Sequence, residues 1–148
     1  MDAIRALDSS VGARLTPIEI KAGEREQLTV SDVDLEVIHL SHGMPGILNL
    51  GFIITIDEVT IFHMGDMDPA VVSVSDLRTY GLPEKHIDIA FSHEYLIAED
   101  EFHEHILEGI QAKYLIPMHF GPQPPLGFES IFPNIKILQK PYESWVMP

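Results

Sequence analysis

Residues 50–66, LGFIITIDEVTIFHMGD, hold two apolar runs separated only by Asp57 and Glu58, and they end on Gly65 and Asp66. Short runs rich in Ile, Val, Phe and Thr suit strands, and a two-residue polar break is hairpin spacing. The stretch predicts strands over 50–56 and 59–64, folded back on one another. Upstream, from Asp34, residues Leu35, Val37 and His39 alternate with Glu36, Ile38, Leu40 and His42. That period of two predicts a third strand beside the hairpin, adjacent and antiparallel.

Downstream of Asp66 the pattern changes to strand–helix alternation. Ser73 and Asp76 form a Ser-x-x-Asp capping box that predicts a helix over 73–80, stopped by Gly81 and Pro83. A strand follows over 87–92. Residues 99–113 read as one helix, with Phe102, Ile106 and Ile110 on its buried stripe and Glu99, Asp100 and Glu101 at its positive end. Further strands are predicted over 114–118 and 135–139. Between them, GPQPPLG (121–127) is too rich in proline for regular structure and reads as a surface loop. At the other end, Ile4, Leu7, Val11 and Leu15 share a helical face that Pro17 closes, and short strands are expected over 17–22 and 27–30 around Gly23. An aromatic cluster around Tyr142 and Trp145 is expected to tuck against the body. No repeat or long linker divides the chain, so 1–148 reads as one domain of α/β or α+β class, a mixed sheet with helices on one face.

Composition narrows the function classes. The chain has 148 residues, 45% of them hydrophobic, enough for a real core. With 23 acidic against 9 basic residues the formal charge is −14, which argues against a nucleic-acid partner. There are no cysteines, hence no disulfide and no thiolate metal site. The first residues lack the apolar run of a signal peptide and no stretch is long enough to span a bilayer, so a cytoplasmic protein is the default expectation.

Eight histidines need assigning. His103 and His105 lie two apart on the expected 99–113 helix, point in different directions, and read as solvent-exposed. His86 reads as exposed too. His39 and His63 have the opposite strand parity to His42 and Asp66, and read as packed or hydrogen-bonded. His93 follows a strand end within reach of a site. His42, Asp66 and His119 differ from the rest. Each ends a strand-like stretch (IHLSHG, IFHMGDMD, YLIPMHFGP) and enters a loop containing Gly43, Gly65 or Gly121. Imidazoles and a carboxylate converging from several strand ends are what a hydrolytic metal ion requires.

From LEVIHLSHG through FIITIDEVTIFHMGD to KYLIPMHF, including the IDIAF strand, the chain resembles the C-terminal half of the metallo-β-lactamase-fold hydrolases, in the branch of lactonase-like and ribonuclease Z-like proteins. The resemblance implies half of a four-layer αββα sandwich. It implies that Asp66 bridges two divalent ions, zinc by preference with manganese or iron as alternatives, while His42 and His119 each complete one shell. The implied chemistry is attack by a metal-activated hydroxide on a small-molecule ester, lactone, phosphoester or amide; His93, read from its own position at a strand end, is the expected proton donor. The family's H-x-H-x-D-H motif has no counterpart here. Two protein ligands per ion fall short of the three a catalytic zinc normally has, so the chain alone is expected to bind metal weakly and hydrolyse little. An uncovered sheet face would favour a homo-oligomer, or a partner chain carrying the missing half.

Two alternatives stand beside the hydrolase. One is a non-catalytic half-fold interaction or dimerisation module with vestigial ligands. The other is a single-metal variant in which His42, Asp66 and His119 converge on one ion as a two-His, one-carboxylate set.

Overall fold

The computed structural model describes residues 20–121, 127–140 and 143–147. Six strands form one sheet in sequence order: β1 (Arg25–Val30), β2 (Val33–His39), β3 (Leu50–Ile56), β4 (Val59–His63), β5 (Ile89–His93) and β6 (Tyr114–Met118). The first four pair antiparallel, while β4, β5 and β6 are parallel. The decisive hairpin is β3–β4, with Ile56 opposite Val59. Its two turn residues, Asp57 (φ 49°) and Glu58 (φ 66°), are both left-handed, the twist that a two-residue hairpin requires and that Asn-Gly normally supplies. Neither is glycine. Replacing the exposed Glu58 with glycine is therefore expected to stabilise the fold by about 0.5–1 kcal/mol, read as a rise of about 1–4 °C in a thermal melt.

Both parallel connections are helical and step the same way across the sheet. Right-handed crossovers then put both on one face. The first connection contains α1 (Val74–Thr79) and a 3₁₀ turn (Pro83–Lys85), and the second contains α2 (Tyr95–Ala98), a 3₁₀ turn (Asp100–Phe102) and a π-helical stretch (His105–Ile110). The core lies between these elements and the inward residues Ile38, Ile53, Phe62, Ala90 and Leu115. Across the strands, Ile53 faces Phe62, Phe62 faces Ala90 and Ala90 faces Leu115. Glu36, the one buried carboxylate among the described residues, lies on this face at 6% exposed and is held by Arg25 and Lys85. The opposite face is apolar as well: Leu35, Phe52, Ile54, Ile61, Ile89 and Phe91 alternate with the core residues and are half-buried.

The capping box forms as the sequence predicts, with the Ser73 hydroxyl accepting from the Asp76 N–H and the Asp76 carboxylate accepting from the Ser73 N–H. Downstream of Asp66, two elements differ. Residues 99–113 do not make one α-helix. Gly109 packs so closely on Leu77 that a Cβ there would come within 2.7 Å of its side chain, and His105 reaches the Val72 carbonyl at 2.8 Å. The wider π turn puts His105, Ile106, Gly109 and Ile110 together on the buried side. His105 is accordingly 7% exposed, not a surface residue, and its Nε2–H donates to that carbonyl. His103 likewise donates to the Ile97 carbonyl.

The strand expected over 135–139 reduces to one parallel bridge, Leu115 to Ile135. Leu115 turns both its backbone groups to that edge, accepting from Lys136 N–H and donating to the Asn134 carbonyl. Two residues on, Pro117 has no N–H to continue the ladder. The helix expected from Ile4 to Leu15, residues 17–19 of the expected 17–22 strand, residues 122–126 of the proline-rich loop and Tyr142 lie outside the described residues, and residues 20–22 are coil and turn leading into β1, not strand. Trp145 packs edge-on against Tyr114, with ring centroids 4.7 Å apart.

Candidate metal centre

Because β2 and β4 are both antiparallel to β3, and β4 is parallel to β5 and β6, four strands run in one direction. Their C-terminal ends share one rim of the sheet, the place where open α/β sheets collect functional groups. His42 lies three residues past β2 and Asp66 three past β4; His93 ends β5, and His119 immediately follows β6. All four meet there. His42 Nε2 is 2.9 Å from Asp66 Oδ2, while His93 Nε2 is 3.4 Å and His119 Nδ1 4.0 Å from Asp66 Oδ1. One ligand atom each from Asp66, His93 and His119 lies within 4.8 Å of the other two. His39 and His63 lie on the opposite parity, and His86, His103 and His105 lie outside the cluster.

The loops are held in place by a residue that no sequence pattern singles out. Asn49, 8% exposed, donates its amide to the carbonyls of Leu40 and Met64 and accepts from the Asp66 N–H at 2.8 Å. One side chain therefore fixes the segments leading to both His42 and Asp66. The Asp68 N–H adds a bond to the Ser41 carbonyl, tying the same two loops again. On the other side, the Glu94 N–H donates to the Met118 carbonyl and joins the ends of β5 and β6. Tyr95 stacks on His93 with centroids 3.7 Å apart, and its hydroxyl donates to the Met67 carbonyl. Burial, followed by the carboxylates of Asp66 and Asp68, pushes the Tyr95 pKa up to about 12, so it stays a neutral donor.

His93 is 9% exposed. Burial lowers its pKa, the neighbouring His119 lowers it further, and Asp66 opposes both. The neutral ring is thereby favoured, the state of an acceptor or ligand more than of an acid. His63 is shifted down for the same first two causes. His119 has φ 61°, a left-handed conformation uncommon for a residue with a side chain, and backbone strain of this kind concentrates at functional sites.

Three imidazoles around one carboxylate make a donor set that suits zinc, iron(II), manganese or cobalt. The set fits such an ion on its own terms. Asp66 and His119 have side chains 43% and 51% exposed, so a bound ion would keep open positions toward solvent. The Nδ1 atoms of His42 and His93 are buried without partners among the described residues, which leaves each ring a single engaged nitrogen, turned toward Asp66. Clefts of ≈ 360 Å³ beside Glu36 and Lys85 and ≈ 380 Å³ beside Ile106 and Phe132 lie away from this rim.

No family model matches the chain, and no curated protein matches it. Among solved structures that do match is a Thermotoga maritima protein described as a candidate Zn-dependent hydrolase of the metallo-β-lactamase superfamily, at 23% identity and a TM-score of 0.44. The alignment covers 65% of this chain and 46% of that one, so the chain spans less than half the length of that protein. No helix among the described residues is long and apolar enough to cross a membrane.

Proposed function

We propose that the chain is a divalent-metal-dependent hydrolase, or the metal-bearing half of one, acting on an ester, lactone, phosphoester or amide. The observation that carries this reading is the placement of one carboxylate, Asp66, among His42, His93 and His119 at one end of the sheet. An ion held there would supply Lewis acidity and lower the pKa of a bound water. The chain's own groups would do the rest. Asp66 offers two oxygens, His93 forms the dry floor, and the half-exposed His119 stands on the solvent side. Met44, Ile47 and Leu48, all exposed on the 43–49 loop that follows His42, form an apolar lip able to seat the non-reacting part of a substrate. Zinc is the ion of choice for such a set, with manganese or iron next.

The interaction-module reading has an observation of its own in the apolar second face of the sheet, led by Phe52, Ile54 and Phe91. We infer that a second copy, or a chain carrying the rest of a two-sheet sandwich, covers it.

Chromogenic ester, lactone and phosphodiester probes, assayed on the zinc-loaded chain before and after chelation, decide between the two. Turnover that disappears with the chelator and returns with zinc is expected for the hydrolase. A chain that takes up zinc yet turns over none of these probes supports the module.

A further inference from the structure

We infer that the chain holds one divalent ion with three of its own side chains, through Asp66 Oδ1, His93 Nε2 and His119 Nδ1, while His42 is the hydrogen-bond donor that fixes the carboxylate. The inference rests on the metal-binding reading above and deepens it by naming the ligands.

The distances separate the roles. Two ligands about 2.1 Å from one ion at a tetrahedral angle stand about 3.4 Å apart. His93 Nε2 is 3.4 Å from Asp66 Oδ1. His119 Nδ1, at 4.0 Å from the same oxygen, needs a small inward shift of a half-exposed ring. His42 Nε2 instead sits on the other oxygen, Oδ2, at 2.9 Å, the length of an ordinary hydrogen bond. Ligating carboxylates are regularly held in this way by an outer partner.

The supports match the assignment. His93 packs against Tyr95, stacked at 3.7 Å, and against His119, whose ring centroid is 4.8 Å away. His119 follows β6 directly in a left-handed conformation. The ligands come from the ends of three adjacent parallel strands, β4, β5 and β6, so their spacing is set by the sheet. Three protein ligands are what a catalytic zinc normally has, and positions on the exposed side remain open. No ligand from outside the chain is then required for one ion.

The test titrates the full, metal-stripped chain with cobalt(II) and zinc(II). One ion per chain is expected. His93→Gln and His119→Gln are expected to weaken cobalt binding by more than about 100-fold, whereas His42→Gln, as an outer partner, falls within about 10–100-fold and keeps the stoichiometry. Histidine side-chain ¹⁵N spectra of the unaltered chain add a readout that needs no variant. Zinc is expected to move Nε2 of His93 and Nδ1 of His119 and to leave His42 carrying its Nε2 proton. Two results overturn the inference while sparing the metal reading: His93 nitrogens unmoved by zinc, or two ions per chain with one lost in His42→Gln. A chain that takes up no metal at all sinks both.

Discussion

Replacing Gly65 with alanine is expected to bring the protein to the edge of unfolding. Gly65 has φ 64°, and a Cβ built there would stand 2.2 Å from Asn49 Oδ1 and 2.6 Å from the Leu50 carbonyl oxygen. Neither atom can step aside, since Leu50 O belongs to the sheet backbone and Asn49 satisfies three backbone groups from inside the protein. The left-handed conformation costs an alanine about 1 kcal/mol or more. Displacing Asn49 leaves buried groups without partners at about 1–3 kcal/mol each. With three such groups the sum is at least about 4 kcal/mol, to be compared with a total stability of about 5–15 kcal/mol for a domain. Urea denaturation followed by circular dichroism measures it. A loss below about 1 kcal/mol, the ordinary effect of a point mutation, would show that the contact is not rigid.

Asp66→Ala should have the opposite profile, a nearly unchanged fold and no metal response. The Asp66 side chain is 43% exposed and its closest polar partner is His42, so its loss from the metal-free protein is worth about 0–1 kcal/mol. With zinc at about one hundred times its dissociation constant, the unaltered chain gains about 2.7 kcal/mol. In Asp66→Ala that gain should vanish, because every histidine of the cluster is organised about this carboxylate. Paired thermal scans with and without zinc read both numbers. A zinc-induced shift that survives the substitution would mean that the ion binds elsewhere.

The sequence carries the sheet where local pattern and tertiary context agree. The β3–β4 hairpin follows from alternation and a two-residue break, β6 falls on 114–118, and Ser73 with Asp76 starts its helix because a capping box is a local device. Legibility fails where a non-local contact decides. Nothing in 99–113 announces that Gly109 must lie against Leu77 or that His105 must cap Val72, yet those contacts break the α-helix and bury a histidine that its neighbours would place in water. The strand over 135–139 stops for a reason that sits in β6, at Pro117.

The site divides the same way. His42, Asp66 and His119 stand out because polar donors at strand ends beside glycines are visible along the chain. The position of His93 depends on β5 and β6 lying side by side, and the role of Asn49 depends on two loops meeting, neither of which is a property of a segment.

The same-direction arrangement of β2, β4, β5 and β6 has a thermodynamic corollary. No stretch of a few residues owns more than one of the donors, so the denatured chain cannot chelate as the folded one would. Loading and folding then form a single linked cycle: an ion that binds only the folded sheet would raise its stability, and global unfolding would release that ion.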